Sequence, residues 1–467
     1  MTALYYMSRY LGWLKEENMS LFTDFYELTM CASYFDNKKF EPATFDLFIR
    51  RLPENRSYLL FAGLEQVLFY LKNVKFTEEH LVYLKKQGFN QQFLDYLRNF
   101  KFTGDVWAAP EGALAFPCEP LIRVTAPIIE AQLVETFLLN TVNLQTMIAT
   151  KASHVVNAAK GKPVIEFGLR REHGIDAGMK VARSSHIAGC AGTSNVLAGF
   201  HYGIPVFGTM AHSFIMSYGK EIDAFRAFTR TFPNKSTLLI DTYDDLAGVK
   251  KAAVVAKELE KQGFKLGGVR LDSGDLAEIS KKVRKRLDDK GLQYIKIFAS
   301  GDLDEFKIAE LLEKEAEIDA FGVGTKMGTS ADKPYVDVIY KLCEAMNKRG
   351  NFSPIMKLSE GKVTLPGRKQ VHRFKDKNGN YSKDVIALVD EKAKGEPLLH
   401  KVMEKGKIII DFPSLEEIRA TAVKNLSKLP AKYKKPRNAP TYPVELSQDL
   451  ENMMQKLKKK LQLPSKP

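Results

Sequence analysis

Pro205-Val206-Phe207-Gly208-Thr209-Met210-Ala211-His212-Ser213-Phe214 joins an apolar run to a glycine break, then a hydroxyl, an imidazole and a second hydroxyl. Pro205-Val206-Phe207 has the composition of a buried parallel strand, with a helix to follow. Polar side chains at a strand exit, ahead of a helix, stand where α/β proteins place their chemistry. A lone histidine there is more simply a core or helix-capping residue. Six further strand exits of equal polarity weigh against that plainer reading.

Those exits belong to a run of short apolar strands that alternate with amphipathic helices. Strands are predicted at Pro163–Phe167, Ala188–Ala191, Pro205–Gly208, Thr237–Ile240, Gly268–Leu271, Ile295–Phe298 and Ala320–Val323. Helices are clearest at Ile222–Thr231, Leu246–Gln262, Leu276–Lys290 and Glu305–Lys314. Such alternation implies a parallel sheet. About seven strands favour an irregular parallel α/β barrel over an open sheet.

A chain of 467 residues exceeds one ordinary hydrophobic core. Three parts are expected: an α+β N-terminal domain (1–143), the barrel with the active site (144–344), and a C-terminal extension (345–467). In the first, Phe22, Tyr26, Met30 and Tyr34 at i, i+4 spacing read as a core stripe within a helical stretch, Ser20–Phe40. Helices are expected at Gly63–Lys72, Glu78–Lys86, Gln91–Phe100, Ile128–Leu139 and about Leu144–Ala159. Strands are expected at Thr44–Ile49, Val106–Ala109, Ala113–Phe116 and Leu121–Val124. In the extension, Ile355–Leu358, Ile386–Val389 and Ile408–Ile410 read as antiparallel strands. Ser414 and Glu417 form a capping-box pattern. Residues 430–443 read as a Pro- and Lys-rich linker, and Val444–Leu461 as a final helix.

Composition excludes several classes. No apolar run reaches the length of a membrane span, and residues 1–17 lack a signal-peptide pattern. Four scattered cysteines with no C-x-x-C pair fit neither a disulfide framework nor a zinc knuckle, and point to a reducing cytoplasm. The net charge of +14 allows nucleic acid or anionic substrates. With no RNA-binding motif or helix-turn-helix, a small anionic substrate is the better account, and a basic nucleic-acid-binding protein is a minor alternative. The absence of G-x-x-x-x-G-K-[S/T] excludes a P-loop ATP site, and Gly322-x-Gly324 lacks the third glycine of a dinucleotide fingerprint.

The seven exits hold Gly168–Arg171, Gly192–Asn195, Thr209–Ser213, Asp241–Asp245, Arg270–Asp275, Ala299–Asp302 and Gly322–Lys326. In a parallel sheet they converge on one rim. Gly-rich turns opening helices cradle phosphate. Arg170 and Arg270 can clamp phosphate or carboxylate. Asp241, Asp272 and Asp275 can bind ribose hydroxyls or hold Mg²⁺ through its waters, although Asp275 and Asp302 could equally be helix caps. His212 can take a phosphoryl group or shuttle a proton. Together they argue for an enzyme acting on a phosphorylated sugar.

Phe22–Met30, Glu166–Arg171, Gly208–Phe214 and Val269–Asp275 resemble nicotinate phosphoribosyltransferase, and the likeness spans roughly residues 20–345. The resemblance implies a type II phosphoribosyltransferase-like barrel in a head-to-tail homodimer. It implies transfer from 5-phosphoribosyl 1-pyrophosphate to nicotinate in NAD salvage, with Mg²⁺ and with ATP as co-substrate. By the same resemblance, His212 is the phosphorylated histidine, and Tyr26 stacks on the pyridine ring from the partner chain opposite Phe167. Thr209 and Arg270 lie around the nicotinate, and Arg170 contacts that site or the ribosyl pyrophosphate. Asp241 and Asp272 lie near ribose and Mg²⁺, and Ser300, Gly301, Gly322, Gly324 and Thr325 hold the 5-phosphate. Ser194 stands where the nicotinamide-using relative has Asp, and a neutral hydroxyl favours a carboxylate substrate. Nicotinamide and quinolinate are the alternative bases.

Overall fold

The computed structural model describes residues 15–359 and 363–462. From residue 164 onward, strand–helix alternation builds a six-stranded parallel sheet. Its order is Gly192–Thr193, Val164–Glu166, Ala320–Val323, Lys296–Ala299, Gly268–Leu271, Thr237–Leu239. Val269, Leu271, Ile297, Ala299, Phe321 and Val323 are all buried, as expected of strands covered on both faces. The helices turn apolar stripes to this sheet: Leu276–Asp288 buries Leu276, Ala277, Ser280, Val283 and Leu287. Asp244, Asp275 and Asp304 cap the three helices that follow the strands beginning at 237, 268 and 296.

Two predicted strands differ. Ala188–Ala191 is not a strand: the helix Ile175–Ile187 runs up to it, Gly189 turns the chain at φ +113°, and the strand is only Gly192–Thr193. Pro205–Phe207 contributes one parallel bridge, Val206 to Thr193. It is also not buried, since Val206 and Phe207 are 48% and 43% exposed. Its outer edge has no ladder to Thr237–Leu239 among the described residues. Among the described residues, backbone hydrogen bonds therefore do not close the ring of seven segments.

The second large sheet has seven strands. Pro42–Ile49 lies at its centre between Pro120–Pro127 and Val338–Met346, antiparallel to both. Beyond these come Asp105–Ala108, His400–Glu404 and Lys407–Ile408 on one side, and Phe352–Pro354 on the other. Strands from the first 130 residues are thus flanked by strands from the last 130. The predicted Ile128–Leu139 and Leu144–Ala159 helices are instead Ile128–Leu133 and one 24-residue helix, Glu135–Ala158. The 143/144 division falls inside this long helix, which contributes to both main hydrophobic cores.

Further corrections lie at the two ends of the chain. The helix Phe25–Asp36 buries Glu27, Leu28 and Cys31. Tyr26 is 51% exposed, and Phe22, Met30 and Tyr34 are only partly covered, so the predicted core stripe is not the buried face. Ile355–Leu358 is not a strand, while Val338–Met346 and Lys369–Lys375 are strands unforeseen in the sequence. The capping box at Ser414 and Glu417 forms as predicted. The linker at 430–443 is packed: Tyr442 is buried and stacks on Phe116 at 3.8 Å. Val444–Leu446 is a strand parallel to Tyr381–Leu388, and the last helix begins only at Gln448. No helix among the described residues is long and apolar enough to cross a membrane.

Candidate active site

At the carboxyl ends of the parallel strands is a cleft of about 440 Å³. Its polar lining includes Arg170, Ser194, Thr209, His212, Arg270 and Asp272, with Phe167, Leu169 and Phe207 among its apolar walls. Parallel strands deliver all their exits to one edge, which is why residues more than 100 positions apart meet here.

Arg270, at the third position of its strand, is held on three sides. Its Nε donates to Ser300 Oγ (2.7 Å), Nη1 to Thr209 Oγ1 (3.1 Å) and Nη2 to Asp272 Oδ1 (2.7 Å). Ser300 Oγ also donates to Asp272 Oδ1 at 2.5 Å. Burial works against charge on Asp272, but the Ser300 hydroxyl and the Arg270 guanidinium outweigh it and hold the carboxyl below its ordinary range. The guanidinium carbon lies 5.8 Å from the centroid of Phe167, which packs against Phe298 at 5.6 Å.

His212 opens the short helix His212–Met216 and keeps its side chain 42% exposed. Its Nδ1 meets Thr242 Oγ1 at 3.1 Å, and its Nε2 lies 3.9 Å from Asp272 Oδ2. The imidazole is thus held at the cleft rim and is not a core histidine. Asp241 Oδ2 accepts from the Asp272 amide (3.0 Å) and Ser273 Oγ (2.6 Å), whereas its Oδ1 is buried with no protein donor. Of the two carboxylates weighed as caps, Asp275 is one, accepting from the Ala277 and Glu278 amides. Asp302 is not: the cap is Asp304, and Asp302 pairs with Lys326 at 3.1 Å.

The glycine positions are close approaches of backbone. A Cβ on Gly301, where φ is +93°, would overlap the Asp272 carbonyl oxygen. A Cβ on Gly322 would lie 2.8 Å from the Phe167 ring and 2.9 Å from that of Phe298. Gly324 passes the Phe167 carbonyl equally closely, and Thr325 Oγ1 accepts from Arg171 Nη1 at 3.3 Å. The Gly322–Thr325 turn therefore backs directly onto the Phe167–Arg171 turn. Tyr26 does not line the cleft of its own chain. Thr242, Ser273 and Phe298 escaped sequence reasoning as site residues, although each lies in or beside a strand exit. So did Glu166 and Glu172, which flank the Phe167–Arg171 turn.

Comparison with known proteins agrees along the chain. Residues 21–143 match the nicotinate phosphoribosyltransferase N-terminal domain, 163–383 the nicotinate phosphoribosyltransferase family, and 392–454 its C-terminal domain. A nicotinate phosphoribosyltransferase of Mycobacterium tuberculosis is 47% identical over 431 residues, covering 92% of this chain and 91% of its own. One from Bacillus subtilis is 41% identical over 473 residues, covering 95% and 96%. Among solved structures, human nicotinic acid phosphoribosyltransferase superposes with a TM-score of 0.83 at 28% identity, covering 93% of this chain and 99% of that one. Nicotinate-nucleotide pyrophosphorylase from Pyrococcus furiosus gives 0.73 at 29% identity, covering 90% and 98%.

Proposed function

The chain belongs to the nicotinate phosphoribosyltransferase family, and from that premise we propose how its cleft performs the reaction. The enzyme transfers the phosphoribosyl group of 5-phosphoribosyl 1-pyrophosphate to nicotinate, giving nicotinate mononucleotide and pyrophosphate in NAD salvage. The observation that carries the residue assignment is Arg270, fixed by three partners on the floor of a cleft that also holds Ser194 and His212. A fixed guanidinium in the same cleft as a neutral hydroxyl suits a pyridine carboxylate. Phe167 supplies the ring contact. Asp272, ionised at neutral pH, would stabilise the positive charge that develops on the ribose as pyrophosphate departs.

Asp241 fits a hydrated divalent cation, since its buried Oδ1 has no protein donor. No cluster of three or more metal-ligating side chains occurs among the described residues. Mg²⁺ would thus be held through its waters by Asp241 and Asp272 and chiefly by the pyrophosphate, whose charge it would neutralise. His212 is the residue ATP would phosphorylate. Thr242 occupies Nδ1, leaving Nε2 to react, and the added charge of about −1.5 to −2 would rearrange the rim for tighter substrate binding. Two exposed apolar faces support a shared, two-chain site. One carries Phe25 and Tyr26 (55% and 51% exposed), the other Val196, Leu197 and Phe200 (71%, 54% and 82%).

Incubation with γ-labelled ATP tests the phosphorylation step. Acid-labile, base-stable label is expected on the native chain and is expected to vanish in His212→Ala. Equal labelling of the alanine variant would refute the acceptor role.

A further inference from the structure

Glu166 and Glu172 lie at the two ends of the Phe167–Arg171 turn and meet beneath it. Glu166, buried at the end of its strand, accepts from the Gly168 amide through Oε1 and from Thr193 Oγ1 (2.6 Å) through Oε2. Both carboxyl oxygens of Glu172 are buried, and no N–H or O–H of the described residues reaches either. Glycines make room for this side chain. A Cβ on Gly168 would lie 2.6 Å from Glu172 Oε1, one on Gly328 2.8 Å from it, and one on Gly178 3.0 Å from Oε2. The same added Cβ on Gly168 would lie 3.0 Å from Glu166 Oε1, so the two carboxyl groups converge on one point.

Two adjoining buried carboxylates cannot both be charged without severe repulsion. A proton between them removes the repulsion and gives the orphaned oxygens of Glu172 their one partner. We propose that Glu172 donates a shared proton to Glu166, and that this bond staples the turn that holds Phe167 and Arg170 in the cleft. Glu172 is then a positioning residue for the pyridine. The substrate named here rests on the transferase reading; the shared proton does not.

The surroundings leave that proton to the pair itself. On the turn, Arg171 is spent on Thr325, and Arg170 lines the cleft. On the helix carrying Gly178, Asp176 and Lys180 neutralise each other at 2.5 Å. On the helix carrying Gly328, Lys326 is held by Asp302 and Asp304. Cys190 stays a neutral thiol, because burial and then Glu166 push it up. Burial first, and Glu166 second, raise Glu172 to about 9. Above that pH the proton leaves for solvent, the pair passes from one negative charge to two, and the turn is forced apart.

Infrared difference spectra and steady-state kinetics between pH 7 and 10.5 test the staple. The native enzyme should lose the C=O band of a buried carboxylic acid as pH rises, with kcat/KM for nicotinate falling in parallel. In Glu172→Gln, whose amide donates without titrating, the part of that band lost near pH 9 should be absent and the alkaline fall should move up by at least one pH unit. Glu172→Ala should raise the KM for nicotinate at neutral pH several-fold more than Glu172→Gln does. An alkaline midpoint unchanged in Glu172→Gln would overturn the staple, as would equal KM values for the two variants. If nicotinate is not a substrate at all, the infrared band still decides whether the proton is shared.

Discussion

Replacing Ser194 by Asp puts the charge argument for the substrate at direct risk. Ser194 and Arg270 line the same cleft of about 440 Å³. If roughly spherical, a volume of that size is about 9–10 Å across, so a ligand at its centre would sit about 5 Å from either wall. Two negative charges at that separation repel by about 3 kcal/mol at an effective dielectric near 20, and by about half that in a wetter cleft. At about 1.4 kcal/mol per decade, kcat/KM for nicotinate should fall by about 10- to 200-fold. Nicotinamide carries no carboxylate and escapes this penalty. Ser194→Asn is the control, since it has almost the size of Asp without the charge. The measurement is initial-rate pyrophosphate release with each base, at low and high salt, because repulsion across an open cleft is screened. If the Asp and Asn variants lose nicotinate activity equally, the repulsion argument fails and the position acts through shape.

Other perturbations read separate parts of the structure. Burial, then the Glu135 charge, raise Glu27 to about 7 against the opposing hydrogen bond from Gln132. A carboxyl raised in the folded state favours folding below its unfolded value of 4.5, and that contribution is lost as pH rises through about 7. The Tm advantage of Glu27→Gln over the native chain should therefore grow from pH 5 to pH 8; a constant difference would contradict the assignment. Gly322→Ala should push Phe167 toward the cleft and raise the KM for nicotinate at least fivefold, with a stability loss of about 1–3 kcal/mol from overpacking. A near-native KM would show that the ring yields elsewhere. Equal amounts of Tyr26→Ala and His212→Ala chains, unfolded and refolded together, should regain about a quarter of native activity if two-fold dimers share their sites. No recovery would refute the shared site.

Much of the parallel region was legible because its signal is local. Gly268–Leu271 and Ala320–Val323 are apolar enough to be covered on both faces and are bounded by amphipathic helices, and both strands form as predicted. The rim inventory followed, since parallel strands place every exit on one edge. Elsewhere the determinants are distant in sequence. Pro205–Phe207 has strand composition, but among the described residues its outer edge faces no ladder, and it forms a single bridge. Val338–Met346 is a strand because Pro42–Ile49 lies open beside it, about 300 positions away. Thr242 and Ser273 act through contacts between loops, and no spacing rule within one loop reveals such partners.

The central place of Pro42–Ile49 also constrains how the protein can be made. One of its two flanking partners, Val338–Met346, leaves the ribosome nearly 300 residues later. At about 5–20 residues per second that is a wait of about 15–60 s with one edge of an apolar strand bare. During that interval the nascent chain is a template for pairing with its neighbours. Clipping the polypeptide before residue 338 would leave the first-made portion permanently without that flank, and its expected fate is inclusion bodies, not a smaller soluble protein.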